Sequence, residues 1–342
     1  MNELSTHLMD HVVPDVPLRQ FVLTLPFALR FLVARDKRLL AAVRTVFLRA
    51  VSGFIRKKAR DVCASKILHT AGFCVVQRFG SALQLAPHFH AVLFDGAYRT
   101  DDDDKLHFVA AQAMTLAERL TLTTRIASRI ERLLQRLGLF SQGQWQSQDD
   151  ASSQLSMEAM KVPASAGAER DLSSASNVRG YNLHTQTRVG MHDESARRRL
   201  FRYVLRPAIA QERLHFENNV VTFEMKRTFS DGTRVLRFSP QPFIRRIAML
   251  VPAPRQHEVT YFGLLAANAK HRNDIVRVPT HRKKARVKGS DPAPNTDAPP
   301  ASSRMSWADL LKKNLRLSRF ALRKMRWPGA GHRRDHRAIS DR

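Results

Sequence analysis

The run Pro87-His88-Phe89-His90-Ala91-Val92-Leu93-Phe94-Asp95 constrains this chain more than any other stretch. Read as an extended strand, it sends His88 and His90 to one face and Phe89 and Ala91 to the other, packed face. At a rise of ~3.3 Å per residue the two imidazoles stand ~7 Å apart along the strand, close enough to grip one divalent metal. The pair by itself is a weak motif, because a half-buried strand with two solvated histidines has the same spacing. Its surroundings add the context.

Upstream, Gly72 to Ser81 is a second β-rich run, and the short polar stretch between it and His88 suits a hairpin or short connection. Gln20 to Leu25 is a third strand candidate, stopped by Pro26. Far downstream, Leu200, Phe201 and Val204 form a helical apolar stripe that ends before Pro207, and Tyr203 sits within it. Helical spacing also marks Phe27 to Arg35, Leu39 to Ile55 and Ala110 to Leu139, the last with Leu116, Leu120, Ile126, Ile130, Leu133 and Leu134 expected inward. Phe223 to Arg227 and Thr233 to Phe238, joined through Ser230-Asp231-Gly232, read as a β-hairpin. Its alternating arginines suit either a DNA backbone or a solvated sheet face. Asp101 to Asp104 reads as a solvated loop, since four consecutive carboxylates cannot converge on one ion from a strand or helix.

A strand with two histidines, two strands able to flank it and a tyrosine on a basic helix resemble the catalytic core of the rolling-circle insertion-sequence transposases, members of the His-hydrophobe-His (HUH) endonuclease superfamily. The resemblance covers residues 1 to 320 and rests on RQFVLTLP, on VQRFGSALQL followed by HFHAVLFDG, on Gly180-Tyr181-Asn182-Leu183-His184, on RYVLRPAIAQERL and on the stretch from Val251. It implies an α+β fold: an antiparallel sheet of HUH-endonuclease type, with His88 and His90 on a central strand between Gln20–Leu25 and Cys74–Arg78, and helices packed on one face. It implies a metal-dependent single-strand DNA endonuclease and transesterase, holding Mg²⁺ or Mn²⁺ with His88 and His90, with Mn²⁺ the better match to imidazole. The third ligand is Gln77 or, failing that, Asp95. Tyr203 is the implied nucleophile, forming a 5′-phosphotyrosyl bond and freeing a 3′-hydroxyl. Some relatives carry a second tyrosine four residues earlier; Arg199 stands there, so the chain resembles the single-tyrosine branch. Arg199, Arg202 and Arg206 are the expected DNA-binding residues, Arg202 and Arg206 flanking the nucleophile. Tyr181 and Tyr261 are next in line as nucleophiles, and His184 and His257 stand too isolated to assign.

Charge points the same way. Fifty-seven Lys and Arg against 30 Asp and Glu leave a formal charge of +27, which calls for a polyanion partner, nucleic acid first. The resemblance narrows this to single-stranded DNA at the termini of a mobile element, in the bacterial cytoplasm. No apolar run reaches membrane-spanning length and no signal peptide is evident, so no membrane partner is expected. Two cysteines, Cys63 and Cys74, cannot build a disulfide framework or a four-cysteine zinc site. The oligomeric state is not legible.

The expected organisation is a first catalytic part over 1–140 with the metal strand, a Ser-, Gln- and Asp-rich flexible connector over 141–178, and a second catalytic part over 179–278 with the tyrosine helix. A disordered Pro-rich basic linker over 279–304 and a short helix with basic tail over 305–342 follow. Relatives carry a zinc module before this start and a C-x-x-C-G-G ribbon near their end. Here Leu322 to Gly329 can be encoded so that a one-base shift yields Cys-Gly-Lys-Cys-Gly-Gly, so the last residues are expected to be out of frame and the chain truncated. Sequencing the gene checks this. The alternative functions are a noncatalytic nucleic-acid-binding remnant and an unrelated metal-dependent phosphohydrolase built on His88 and His90.

Overall fold

In the computed structural model, the described residues are 2–276 apart from 64, 66, 142–143, 146–174, 227, 229–231 and 253–255. The chain divides into two units, Met1–Lys284 and Ala285–Arg342, and every described residue lies in the first. Most of the connector, the linker over 279–304, the terminal helix and the segment from Leu322 therefore lie outside the described residues.

The chain opens with α1 (Asn2–His7), which runs on into a π-helical turn over Leu8–Val12. β1 (Leu18–Thr24) stops short of Pro26, and α2 (Phe27–Arg35) and α3 (Lys37–Arg60) follow. Asp36 starts α3 by accepting hydrogen bonds from the amides of Arg38 and Leu39. Next come β2 (Leu68–His69), β3 (Ala71–Phe79), β4 (Leu85–Phe94), β5 (Gly96–Thr100) and β6 (Leu106–Ala110). A capping box of Thr115 and Glu118 begins α4 (Leu116–Arg136). The short strands β7 (Phe140–Ser141) and β8 (Gln144–Trp145) precede β9 (Ala175–Val178), β10 (Tyr181–His184) and β11 (Arg188–Val189). α5 (Glu194–Val204) carries the tyrosine, and β12 (Leu214–Glu217), β13 (Val220–Glu224), β14 (Val235–Phe238), α6 (Pro240–Leu250), β15 (Val259–Gly263) and α7 (Arg272–Ile275) complete the described chain.

The main sheet is antiparallel throughout, in the order β15-β3-β4-β1-β10-β9, with β11 also paired to β1. β4 is thus a central strand, flanked by β1 and β3 as expected. A two-residue turn at Arg179 and Gly180, both at positive φ, closes the β9–β10 hairpin. That turn geometry favours glycine and matches the strand twist.

Alternation along the strands then separates two chemistries. Phe21, Leu23, Cys74, Val76, Phe89, Ala91, Leu93, Tyr181 and Leu183 form a core with α2, α3 and α4. Fully burying a side chain such as Phe89 is worth roughly 1.5–3 kcal/mol, so β4 is held in place by this face and can carry imidazoles on the other. On that other face Phe73, Val75, Val92 and Phe94 pack with Leu8, Val12, Leu200, Phe201 and Val204. Phe73 and Phe201 meet edge to face at 5.5 Å. Helices therefore cover both faces, which corrects the expectation of one. The physical reason is simple: a tyrosine that meets the histidines must ride a helix on their side, opposite the core helices.

Other differences are local. In α4, Leu116 and Leu120 are exposed and the inward stripe is Leu122, Ile126, Ile130 and Leu134. At about 100° per residue Leu120 lies on the opposite side from Leu122. The predicted hairpin gains a third strand, β12-β13-β14, with Glu224 opposite Val235 and part of its turn outside the described residues. Asp101 to Asp104 is the turn between β5 and β6, where the Asp101 carboxylate accepts from the Lys105 amide and pairs with His107. Among the described residues, no helix is long and apolar enough to cross a membrane.

Candidate active site

His88 and His90 share one face of β4, their ring centroids 4.8 Å apart. His88 Nδ1 lies 2.8 Å from the Ala86 carbonyl. A carbonyl only accepts, so Nδ1 carries a proton. His90 is buried, its Nδ1 lies 2.8 Å from the side-chain amide of Gln20 on β1, and its Nε2 has no hydrogen-bond partner. Burial pushes the His90 imidazole well below its usual range, and His88, Arg206 and His184 add in the same direction. The ring is held neutral, the form that binds metals.

Gln77 sits directly opposite His88 in the β3–β4 register and is buried. Its amide group donates to the carbonyls of Tyr203, at 3.1 Å, and Val204, at 2.8 Å. These are among the last carbonyls of α5, where helical donors run out; that of Tyr203 also accepts from the amides of Leu205 and Arg206 just beyond the helix. Both partners are acceptors, so the amide orientation is fixed. Its Oε1 is left buried with no hydrogen-bond partner.

Tyr203 is thereby anchored through its own backbone. Its ring meets that of His90 at 5.6 Å, nearly perpendicular, while the side chain stays 43% exposed. The Arg206 guanidinium lies 4.8 Å over the tyrosine ring and 5.5 Å over Phe79. At the other end of α5, buried Arg197 donates to the carbonyls of Val13, Pro14 and Val16, tying the helix to the segment before β1. Replacing Gln77 with leucine, close in size, should cost about 1–3 kcal/mol because the Val204 carbonyl loses its side-chain donor and that of Tyr203 loses one of its donors. Urea denaturation measures it; an unchanged midpoint would show that the cap carries no stability.

The residues present fit a divalent metal. Among the described residues no three His, Cys, Asp or Glu side chains converge on one point. The available donors are instead the Nε2 of His90 and the amide oxygen of Gln77, both buried with no hydrogen-bond partner, with the His88 ring beside that of His90. Imidazole with amide oxygen is a borderline-to-hard set, which suits Mn²⁺ and Mg²⁺.

Other expected site residues lie elsewhere. Asp95, the alternative third ligand, is fully buried and bound to Arg19 and Arg188. It follows Phe94 on the strand, so alternation sends it away from the histidine face, and its oxygens are engaged by guanidinium groups. Arg199 is exposed and donates to the Ser195 hydroxyl. Arg202, also exposed, lines a depression with Ser5, Thr6, Met9, Asp10 and Arg198. Of the three arginines only Arg206 stacks on Tyr203. The competing tyrosines are less accessible. Tyr181 is fully buried on the core face with its phenol pushed up by burial, Tyr98 is pushed up to about 12, and half-buried Tyr261 is raised for the same reason.

Sequence reasoning overlooked Gln20 as a partner of His90, Arg197 as the anchor of α5 and His184 as a neighbour of the site. The last faces the histidines because Val22 pairs with both His184 and His90. Only strand register reveals these.

No curated protein and no solved structure matches the chain. A family model described as "Putative transposase" matches residues 72–273, more than half of the sequence and the span from the second residue of β3 to the second residue of α7. That span contains His88, His90, Gln77, Tyr203 and Arg206, and the chain belongs to this family of transposases.

Proposed function

We propose that this transposase cuts and rejoins single-stranded DNA at the ends of a rolling-circle element through Tyr203, as a single-tyrosine HUH endonuclease. One observation carries the reading: of four tyrosines, only Tyr203 is exposed, and its ring lies against His90. In the first step its phenolic oxygen bonds to phosphorus as the bond to the 3′ oxygen breaks. The phenol proton is lost and the departing 3′ oxygen takes one up, leaving a 5′-phosphotyrosine and a free 3′-hydroxyl. Because one phosphoester replaces another, rejoining needs no nucleotide cofactor.

His88, His90 and Gln77 would hold Mg²⁺ or Mn²⁺, which when bound neutralises a nonbridging oxygen and orients the phosphorus for in-line displacement. Gln77 sets the height of the tyrosine above that position by gripping the end of α5. Arg206 is stacked where it can meet phosphate charge as the backbone approaches Tyr203.

Incubation with labelled single-stranded DNA from element termini and Mn²⁺ should yield an adduct that survives SDS. Binding without an adduct would favour the noncatalytic remnant, and cleavage without an adduct the phosphohydrolase. Affinity should also fall by about a thousandfold between roughly 50 and 200 mM salt if about seven or more phosphates of the single strand are contacted. Titration by fluorescence anisotropy checks this, and salt-insensitive binding would remove the electrostatic argument.

A further inference from the structure

We infer that Gln20 is a positioning residue which decides the nitrogen of His90 that is left bare, and that it faces the ring with its amide oxygen. The inference rests on the metal reading of His88 and His90. Gln20 and His90 lie on neighbouring strands and are 2% and 1% exposed, so no competing solvent contact orients the imidazole. A neutral imidazole has one N–H and one lone pair. The amide atom 2.8 Å from Nδ1 is placed as nitrogen, but a half-turn about the last side-chain bond exchanges it with oxygen.

The two orientations have opposite consequences. If the amide nitrogen donates, Nδ1 must accept and the proton sits on Nε2, which is buried with no acceptor. That leaves an unmet donor, a costly arrangement. It also blocks the nitrogen that faces away from Gln20. If the amide oxygen accepts, Nδ1 carries the proton and Nε2 is bare. His88 already has its Nδ1 protonated, with the Ala86 carbonyl in the accepting role. Both imidazoles then carry a proton on Nδ1, and Gln20 supplies from a side chain what Ala86 supplies from the backbone. Such partners around a ligating histidine fix its tautomer and raise its basicity.

The test reads the His90 tautomer by long-range ¹H–¹⁵N correlation in the metal-free full chain, together with Mn²⁺ affinity by titration calorimetry. Wild type should carry its proton on Nδ1. Gln20→Glu, which only accepts at that position when ionised, should keep both the tautomer and Mn²⁺ affinity near wild type. Gln20→Leu should lose the tautomer preference and about 10–100-fold in affinity. A wild-type proton on Nε2, or Gln20→Leu binding Mn²⁺ as tightly as wild type, would overturn the inference. If wild type takes up no Mn²⁺ that His88→Ala removes, the metal reading falls. The metal-free tautomer then still decides how Gln20 faces His90, and the measurement in wild type needs no variant to fold.

Discussion

Tyr203→Phe is expected to abolish the covalent protein–DNA adduct, by roughly a thousandfold or more, while leaving affinity for single-stranded DNA nearly unchanged. The substitution removes one oxygen. The ring stays against His90 and beneath Arg206, and the Gln77 cap acts on the backbone of residues 203 and 204, which phenylalanine shares. An exposed phenol away from the core carries little stability, so the melting temperature should barely move. Gel detection of labelled DNA after SDS denaturation gives the comparison. His88→Ala should also lose the adduct, but by loss of a metal donor, so excess Mn²⁺ should partly restore it, whereas no metal concentration should rescue the phenylalanine variant. A Tyr203→Phe protein that still forms the adduct would sink the assignment, and the half-buried Tyr261 would come before the core-facing Tyr181 as its replacement.

Asp95→Ala should produce the largest loss of stability, about 3–5 kcal/mol. The Asp95 carboxylate is fully buried and accepts from Arg19 at 2.7 and 3.1 Å, with Arg188 beside it. Without it, nearly buried Arg19 keeps its charge but has lost its counterion. Arg188 is half exposed and can turn to water. Removing both buried partners as Arg19→Met with Asp95→Leu should therefore recover much of the loss, because well-packed apolar residues do not require compensation. Urea midpoints measure both variants. A drop below about 1 kcal/mol for Asp95→Ala would show that the pair is hydrated and contributes little.

The contrast between Asp95 and Gln77 shows what was legible in the sequence. The histidine strand, its two neighbours and the tyrosine helix follow from local patterns: alternation, a stop at proline, an apolar stripe. From sequence Gln77 is the first candidate donor and Asp95 the second, since both flank the histidines. They part only when strand register puts Gln77 opposite His88 while alternation turns Asp95 to the other face, toward Arg19. The partners that matter lie far along the chain: 70 residues separate Gln20 from His90, and 127 separate Gln77 from Val204. Short-range periodicity holds no record of such pairs. The same limit hid β15 within the stretch after Val251 and the pairing of β10 with β1, although both segments were singled out as motifs. Roles in catalysis came from resemblance, since two imidazoles and a phenol acquire a reaction only from what they are set beside.

The order of the strands also sets a timetable for synthesis. β1, β3 and β4 all leave the ribosome within the first hundred residues, whereas α5 and Gln77's two carbonyl partners arrive about a hundred residues later. At roughly 5–20 residues per second that is an interval on the order of ten seconds. During it, the nascent chain holds both histidines but not Tyr203, so under the proposed function it cannot yet join itself to DNA. The hydroxyl is delivered last, by the helix that Gln77 is waiting to cap.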